Sequence, residues 1–187
     1  MIRQSLLALA GALLLTTTAA TAQSLDYVLA QDERTQLLDL LVDGAGLTCA
    51  LAEDGPYTVF APTDNGFDVV PEEALADLRD PDNRELLRSV LTFHIVEGTL
   101  TTAALREAIE ANGNQPVALP TLQGDSLQVS MGNERFYLTD GLGNTVNLSA
   151  PNEDITADNG VVHLLVGVLM PPEASAFPDA VRDCAAE

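Results

Sequence analysis

The chain has 187 residues, 28 of them Asp or Glu against 8 Lys or Arg, for a formal net charge of −20. A surface of that sign repels phosphate backbones and anionic lipid headgroups, which argues against nucleic acid as a partner. Salt relieves the self-repulsion, so the composition suits a saline medium.

Residues 1–22 read as a signal peptide. Arg3 supplies a positive start, an apolar run follows from Leu6 to Leu15, and Ala20-Thr21-Ala22 gives a small-residue cleavage signature before Gln23. The run falls short of the roughly 20 apolar residues of a spanning helix, so a membrane anchor is the weaker alternative. Cleavage near Ala22 would leave residues 23–187, with no transmembrane segment and enough chain for one ordinary domain. Loss of Arg3 takes the net charge to −21. The expected location is secreted or periplasmic. In such a compartment Cys49 and Cys184 are expected to form a disulfide, the alternative being two unpaired thiols.

The N-terminal part of this domain predicts helices. Ser24 is positioned to cap a short one carrying Leu25, Val28 and Leu29. Thr35 is positioned to cap a second, with Leu37, Leu38, Leu40 and Leu41 at helical spacing and Gly44 at its end. A third carries Leu47, Ala50 and Leu51, and Gly55-Pro56 stops it. Thr58, Val59 and Phe60 then read as a strand that Ala61-Pro62 ends, with Thr63 or Asp64 capping the next helix. Pro71 suits the opening of another helix. A further one is predicted from about Asn83, with Leu87, Leu91 and His94 on one face. Thr102 is expected to cap the next, and Gly113 to stop it.

From Val117 the texture changes. "VALPTLQ", "SLQVS", "RFYLT", "TVNLS" and "VVHLLVGVLM" are short β-rich runs punctuated by Gly-Asp, Gly-Asn and Asn-Gly turns. Helices first and strands after predict an α+β fold with antiparallel pairing. Residues 173–187 read as a C-terminal tail.

Little in the chain points to catalysis. His94 and His163, the two imidazoles, sit on apolar faces with no Ser/His or Cys/His signature around them. Their spacing makes no metal site, and Glu153, Asp154 and Asp158 lack the ligand pattern of a calcium loop. No cofactor, no metal and no catalytic residue is expected. Asn147 begins a glycosylation sequon, which matters only in a host that glycosylates secreted proteins.

Three ordered segments carry a resemblance. "YTVFAPTDNGF", containing Thr58, Val59, Phe60, Ala61, Pro62 and Thr63, resembles the first signature of the fasciclin domain family. "LTFHIVEGTL" is similar to its central Tyr-His motif, with His94 in place and Phe93 where tyrosine is usual. "NGVVHLLVGVLMPP", containing Asn159, Gly160, Val161 and His163, resembles its second signature, and "TLQGDSLQVS" fits the hairpin between. The resemblance covers about residues 24–172 and places a domain at 23–172. It implies a wedge-like β-sandwich of mostly antiparallel strands with helices packed around it, the two signatures lying side by side as central strands.

The resemblance also implies adhesion without catalysis: a monomeric module binding a protein or polysaccharide of the cell surface or matrix. In animal members an Asp-Ile pair before the second signature is linked to integrin binding, and Asp154-Ile155 stands at the matching offset. The turn residues Asn152, Glu153, Asp154 and Ile155 are therefore the candidate partner contacts, the alternative being a plain connecting loop. A small-ligand or polysaccharide carrier in the periplasm is the second functional reading. Aromatics make up only 4% of the chain, which disfavours stacking platforms for sugars.

Overall fold

The leucine spacing of the N-terminal third produces α1 (Leu25–Gln31), α2 (Gln36–Ala45) and α3 (Thr48–Glu53) in the computed structural model, which describes residues 23–148 and 154–172. After β1 (Tyr57–Pro62) and a 3₁₀ turn over Asp64–Val69 come α4 (Glu72–Arg79), α5 (Arg84–Phe93), β2 (Ile95–Glu97) and α6 (Thr102–Ala111). The rest is strand: β3 (Val117–Pro120), β4 (Ser126–Gly132), β5 (Arg135–Thr139), β6 (Thr145–Asn147), β7 (Ile155–Ala157) and β8 (Gly160–Leu165).

The strands form two four-stranded sheets, ordered β2-β1-β8-β7 and β3-β4-β5-β6. The second is a purely antiparallel meander. In the first, β1 and β8 run parallel along six residue pairs, from Tyr57 opposite Gly160 to Pro62 opposite Leu165. The two signature segments therefore lie side by side as central strands. Isolated bridges from Val96 to Thr121 and from Leu148 to Leu165 tie the sheets together.

The first sheet is covered on both faces, which is why β1 and β8 are almost wholly buried. Period-two alternation sends Val59, Ala61, Val162 and Leu164 into a core shared with α1, α2 and α5. Phe60 and Leu165 point the other way, into a second core with Phe93, Leu127, Val129, Phe136, Leu138 and Ile109 of α6. Phe93 is fully buried there, so the missing tyrosine hydroxyl leaves no buried oxygen in need of a partner.

Several local expectations are corrected. Gly44 lies inside α2, and Gly46, at φ 70°, takes the left-handed position that ends the helix. Ser24 and Thr35 precede α1 and α2 without a capping side-chain bond. Thr101, not Thr102, caps α6, its hydroxyl accepting from the Ala104 amide. Neither Thr63 nor Asp64 caps the turn after β1. The Thr63 hydroxyl donates to the Leu165 carbonyl at 3.0 Å, and the Asp64 carboxylate accepts from the Leu37 amide at 2.9 Å in the first turn of α2. The strand also runs two residues further than read, through Ala61 and Pro62. Pro62 keeps its place opposite Leu165, and the Thr63 amide reaches the Leu165 carbonyl.

Candidate functional site

Three motifs distant in sequence meet at His94. This residue ends α5, and its Nδ1 lies 2.8 Å from the Val90 carbonyl one turn back. Its Nε2 accepts the Leu169 amide at 3.0 Å, and its own carbonyl accepts the Phe60 amide at 2.9 Å. A carbonyl only accepts and an amide only donates, so the ring is fixed as the neutral tautomer with its proton on Nδ1. Burial drives the His94 pKa down to about 4, with the Val90 carbonyl and the charge of Asp140 pulling weakly the other way.

This depression makes stability depend on pH. Between about pH 6.5 and 4 the unfolded chain binds a proton that folded His94 refuses, so stability rises with pH across that window. The contribution is complete above 6.5 and is lost progressively toward 4, amounting to roughly 3 kcal/mol. The stability gap between wild type and His94→Gln should therefore shrink by about that amount from pH 7 to pH 4, as measured by urea melts at each pH.

Asp140, also buried, organises the neighbouring turn. Its carboxylate accepts from the Leu142 and Asn144 amides, the Asn144 side chain and the Met170 amide. The end of the second signature is thus fastened through consecutive amides, Leu169 to His94 and Met170 to Asp140.

His163 projects from β8 into the second core, where its ring stacks on Phe60 with centroids 5.5 Å apart. Nε2 lies 2.7 Å from the Leu100 carbonyl, which requires the ring to donate there. Thr58 holds the same loop, donating to the Gly98 carbonyl at 2.7 Å and accepting the Leu100 amide at 2.8 Å. Both signatures thereby grip the segment after β2.

The turn between β7 and β8 is a third junction. The Asn159 side chain accepts the Leu25 amide at 2.9 Å, starting α1, and donates to the Leu51 and Asp54 carbonyls at 2.8 Å each, finishing α3. Local reading marks Asn159 as a turn residue only, because these partners lie more than a hundred residues away. Gly160 follows where the strands come closest: a Cβ built there would lie 2.0 Å from the Tyr57 carbonyl oxygen.

Of the candidate contact residues, Asn152 and Glu153 lie outside the described residues. Asp154 sits at φ 59° and is partly exposed. Its carboxylate accepts the Thr102 amide at 2.7 Å and the Thr102 hydroxyl at 2.8 Å, at the positive end of α6, and passes 3.7 Å from His163 Nδ1. Ile155 opens β7 and packs partly against the first core. Asp154 is thus anchored, and the surface it leaves open is the edge formed by β7, where Thr156 is exposed.

Cys49 is not a free thiol, and Cys184 lies outside the described residues. Among the described residues no helix is long and apolar enough to cross a membrane.

The fasciclin-domain family model matches residues 32–171. The chain belongs to the fasciclin domain family. It is 31% identical over 152 residues to the protein sll1483 of Synechocystis sp., covering 81% of this chain and 76% of that one. The transforming growth factor-beta-induced protein ig-h3 of Sus scrofa is 35% identical over 146 residues, 78% of this chain but only 19% of that much longer relative. A solved FAS1 domain pair from the insect cell adhesion molecule Fasciclin I superposes with a TM-score of 0.70 at 19% identity, covering 82% of this chain and 53% of that one. The last likeness concerns fold. In this chain the first and second signatures contain the paired strands β1 and β8, and His94 of the central motif reaches the first through its main-chain carbonyl, on Phe60, and the end of the second through its imidazole, on Leu169.

Proposed function

We propose that this fasciclin domain is an exported, non-catalytic binding module that attaches to a protein or polysaccharide of the cell surface or matrix, acting as a monomer in the periplasm or outside the cell. One observation supports this most: the polar side chains of the signatures are directed at the domain's own backbone. His94, Thr58, Thr63 and Asn159 each hold main-chain groups of other segments. Their role is to hold a rigid frame on which a binding surface is displayed. Family membership and the signal-peptide reading of residues 1–22 supply the rest.

The contact surface proposed is the turn 152–155 together with the β7 edge. Asp154, clamped to Thr102, fixes the end of this turn, while Asn152 and Glu153 are the polar residues offered to a partner. The acidity of the domain slows approach to an anionic envelope, so attachment should depend on salt and on divalent cations bridging the two surfaces.

The test is attachment of the purified mature protein to native cell envelopes. Asn152→Ala/Glu153→Ala should weaken attachment several-fold while the melting temperature stays within about a degree, since the polar, turn-forming sequence here reads as a water-facing loop and surface substitutions cost little. Asp154→Ala should lower both attachment and stability, the latter by about 2 kcal/mol, because the Thr102 amide and hydroxyl lose their acceptor. Wild-type attachment by the double variant places the contact elsewhere on the domain.

A further inference from the structure

Two main-chain bonds dock the start of the described domain on the turn between β7 and β8. The Gln23 amide donates to the Asp158 carboxylate at 2.5 Å, and the Gln23 carbonyl accepts the Asp158 amide at 2.9 Å. The Leu25 amide, bonded to the Asn159 side chain at 2.9 Å, extends the series. Gln23 and Asp158 stand 135 residues apart in sequence, so this is a tertiary clasp and not a local turn. Gln23 also lies beside the proposed attachment surface: with Tyr27, Gln31, Ile155 and Thr156 it lines a depression next to β7. Asp32, in the same depression, has Arg34 as its cation at 2.6 Å, whereas no arginine is paired with Asp158 among the described residues.

The chain contains no lysine. Removal of residues 1–22, the export step in the function proposed above, therefore makes the α-amino group of Gln23 the sole primary amine of the mature chain. That nitrogen is the atom already seated on the Asp158 carboxylate. We propose that Asp158 is the receptor for the mature N-terminus: cleavage before Gln23 turns an amide contact into an ammonium–carboxylate pair that clasps the chain start to the β7–β8 turn and protects the amine from modification. The inference rests on the export reading and goes beyond attachment, since it gives the processed terminus a partner of its own.

Two reactions threaten such a terminus. An N-terminal glutamine cyclises when its α-nitrogen attacks its own side-chain Cδ. The new C–N bond closes a five-membered lactam, and the side-chain amide nitrogen leaves as ammonia, taking one proton from the α-nitrogen. An acyl donor is attacked by the same nitrogen. Both reactions need the neutral amine, and an ordinary α-amino group, with a pKa of about 8, is substantially neutral in mildly alkaline water. A carboxylate in contact favours the charged form, and the two bonds to Asp158 fix the nitrogen in place. An exposed ion pair adds little stability, so the effect is expected in reactivity and not in the melting temperature.

The first measurement is on protein expressed with residues 1–22 and recovered from a bacterial periplasm. Mass spectrometry of its N-terminal peptide should show uncyclised Gln23 in first place. Another first residue, or the lactam as the main form, overturns the proposal; a chain that is neither exported nor cut overturns the export reading instead. The clasp is tested in either case on a folded chain given Gln23 as its first residue by removal of an N-terminal tag. Acetylation with a dilute succinimidyl ester at pH 8, followed by intact mass, then reads one amine, because lysine is absent. Wild type should react several-fold more slowly than Asp158→Asn, and should cyclise more slowly on storage, with the two melting temperatures within about a degree. In concentrated urea the two rates should coincide. Equal rates in the folded proteins, or a difference that survives in urea, overturn the clasp. None of these readouts depends on envelope attachment, so their failure is separate from a failure of the binding function.

Discussion

Gly160→Ala is expected to cost more than about 4 kcal/mol and to leave little folded protein at 37 °C, a loss at the extreme of single substitutions. The cause is contact rather than backbone freedom. The added methyl group would sit 2.0 Å from the Tyr57 carbonyl oxygen and 2.9 Å from a methyl of Leu25. Tyr57 is the residue that Gly160 faces across the parallel pair, so relief requires the two central strands to separate where their register begins. Leu25 is fully buried and opens α1, so it has little room to retreat. Gly113 gives the control. It has φ 68° and nothing within 4 Å of an added Cβ, so alanine there should cost only about 1–2 kcal/mol, from the left-handed backbone alone. Denaturant melts of the two variants check the contrast; similar losses at both sites would remove the close-contact explanation.

Asn159→Ala carries the next largest expected effect, about 3 kcal/mol, or a melting temperature lower by roughly 10 °C in a domain of this size. Three hydrogen bonds go at once: one starts α1 and two finish α3. Asn159→Asp separates the two ends. A carboxylate still accepts the Leu25 amide but presents charge and no donor to the Leu51 and Asp54 carbonyls. It should therefore be no better than alanine, and amide exchange should quicken around α3 before α1. An aspartate variant as stable as wild type would show that the α3 carbonyls do not depend on this side chain.

The range of each interaction decides how much of the fold is legible in the sequence. The helical leucine spacing and the strand runs after Val117 are local patterns, and the elements they predict are present. The boundaries set by distant partners are hidden. Asp64 looks like a cap for its own turn but serves Leu37, because the fold brings the corner after β1 against α2. Ile95–Glu97 continues a helical-looking run and becomes a strand only because β1 offers it a ladder. Ile155–Ala157 is three residues long and forms for the same reason beside β8. The strands are mostly antiparallel, as expected; the one parallel pair, β1 with β8, has no sign in element order, though the family resemblance placed the two strands together. At the candidate contact turn, sequence offers Asp154 as a water-facing acid. Its attachment to Thr102, 52 residues earlier, depends on where α6 begins and leaves no local trace.

The central claim is that the signature residues serve as frame and that binding is carried on the surface they support. His94 tests it most directly, because a frame residue and a chemical one titrate differently. Nitrogen-15 NMR of the labelled mature domain, followed from pH 8 downward, reads the ring itself. The expected spectrum is that of a neutral imidazole with its proton on Nδ1 and a midpoint near pH 4, with no change through the ordinary histidine range. A His94 ring that titrates near pH 6.5 in the folded protein, or carries its proton on Nε2, would contradict the claim.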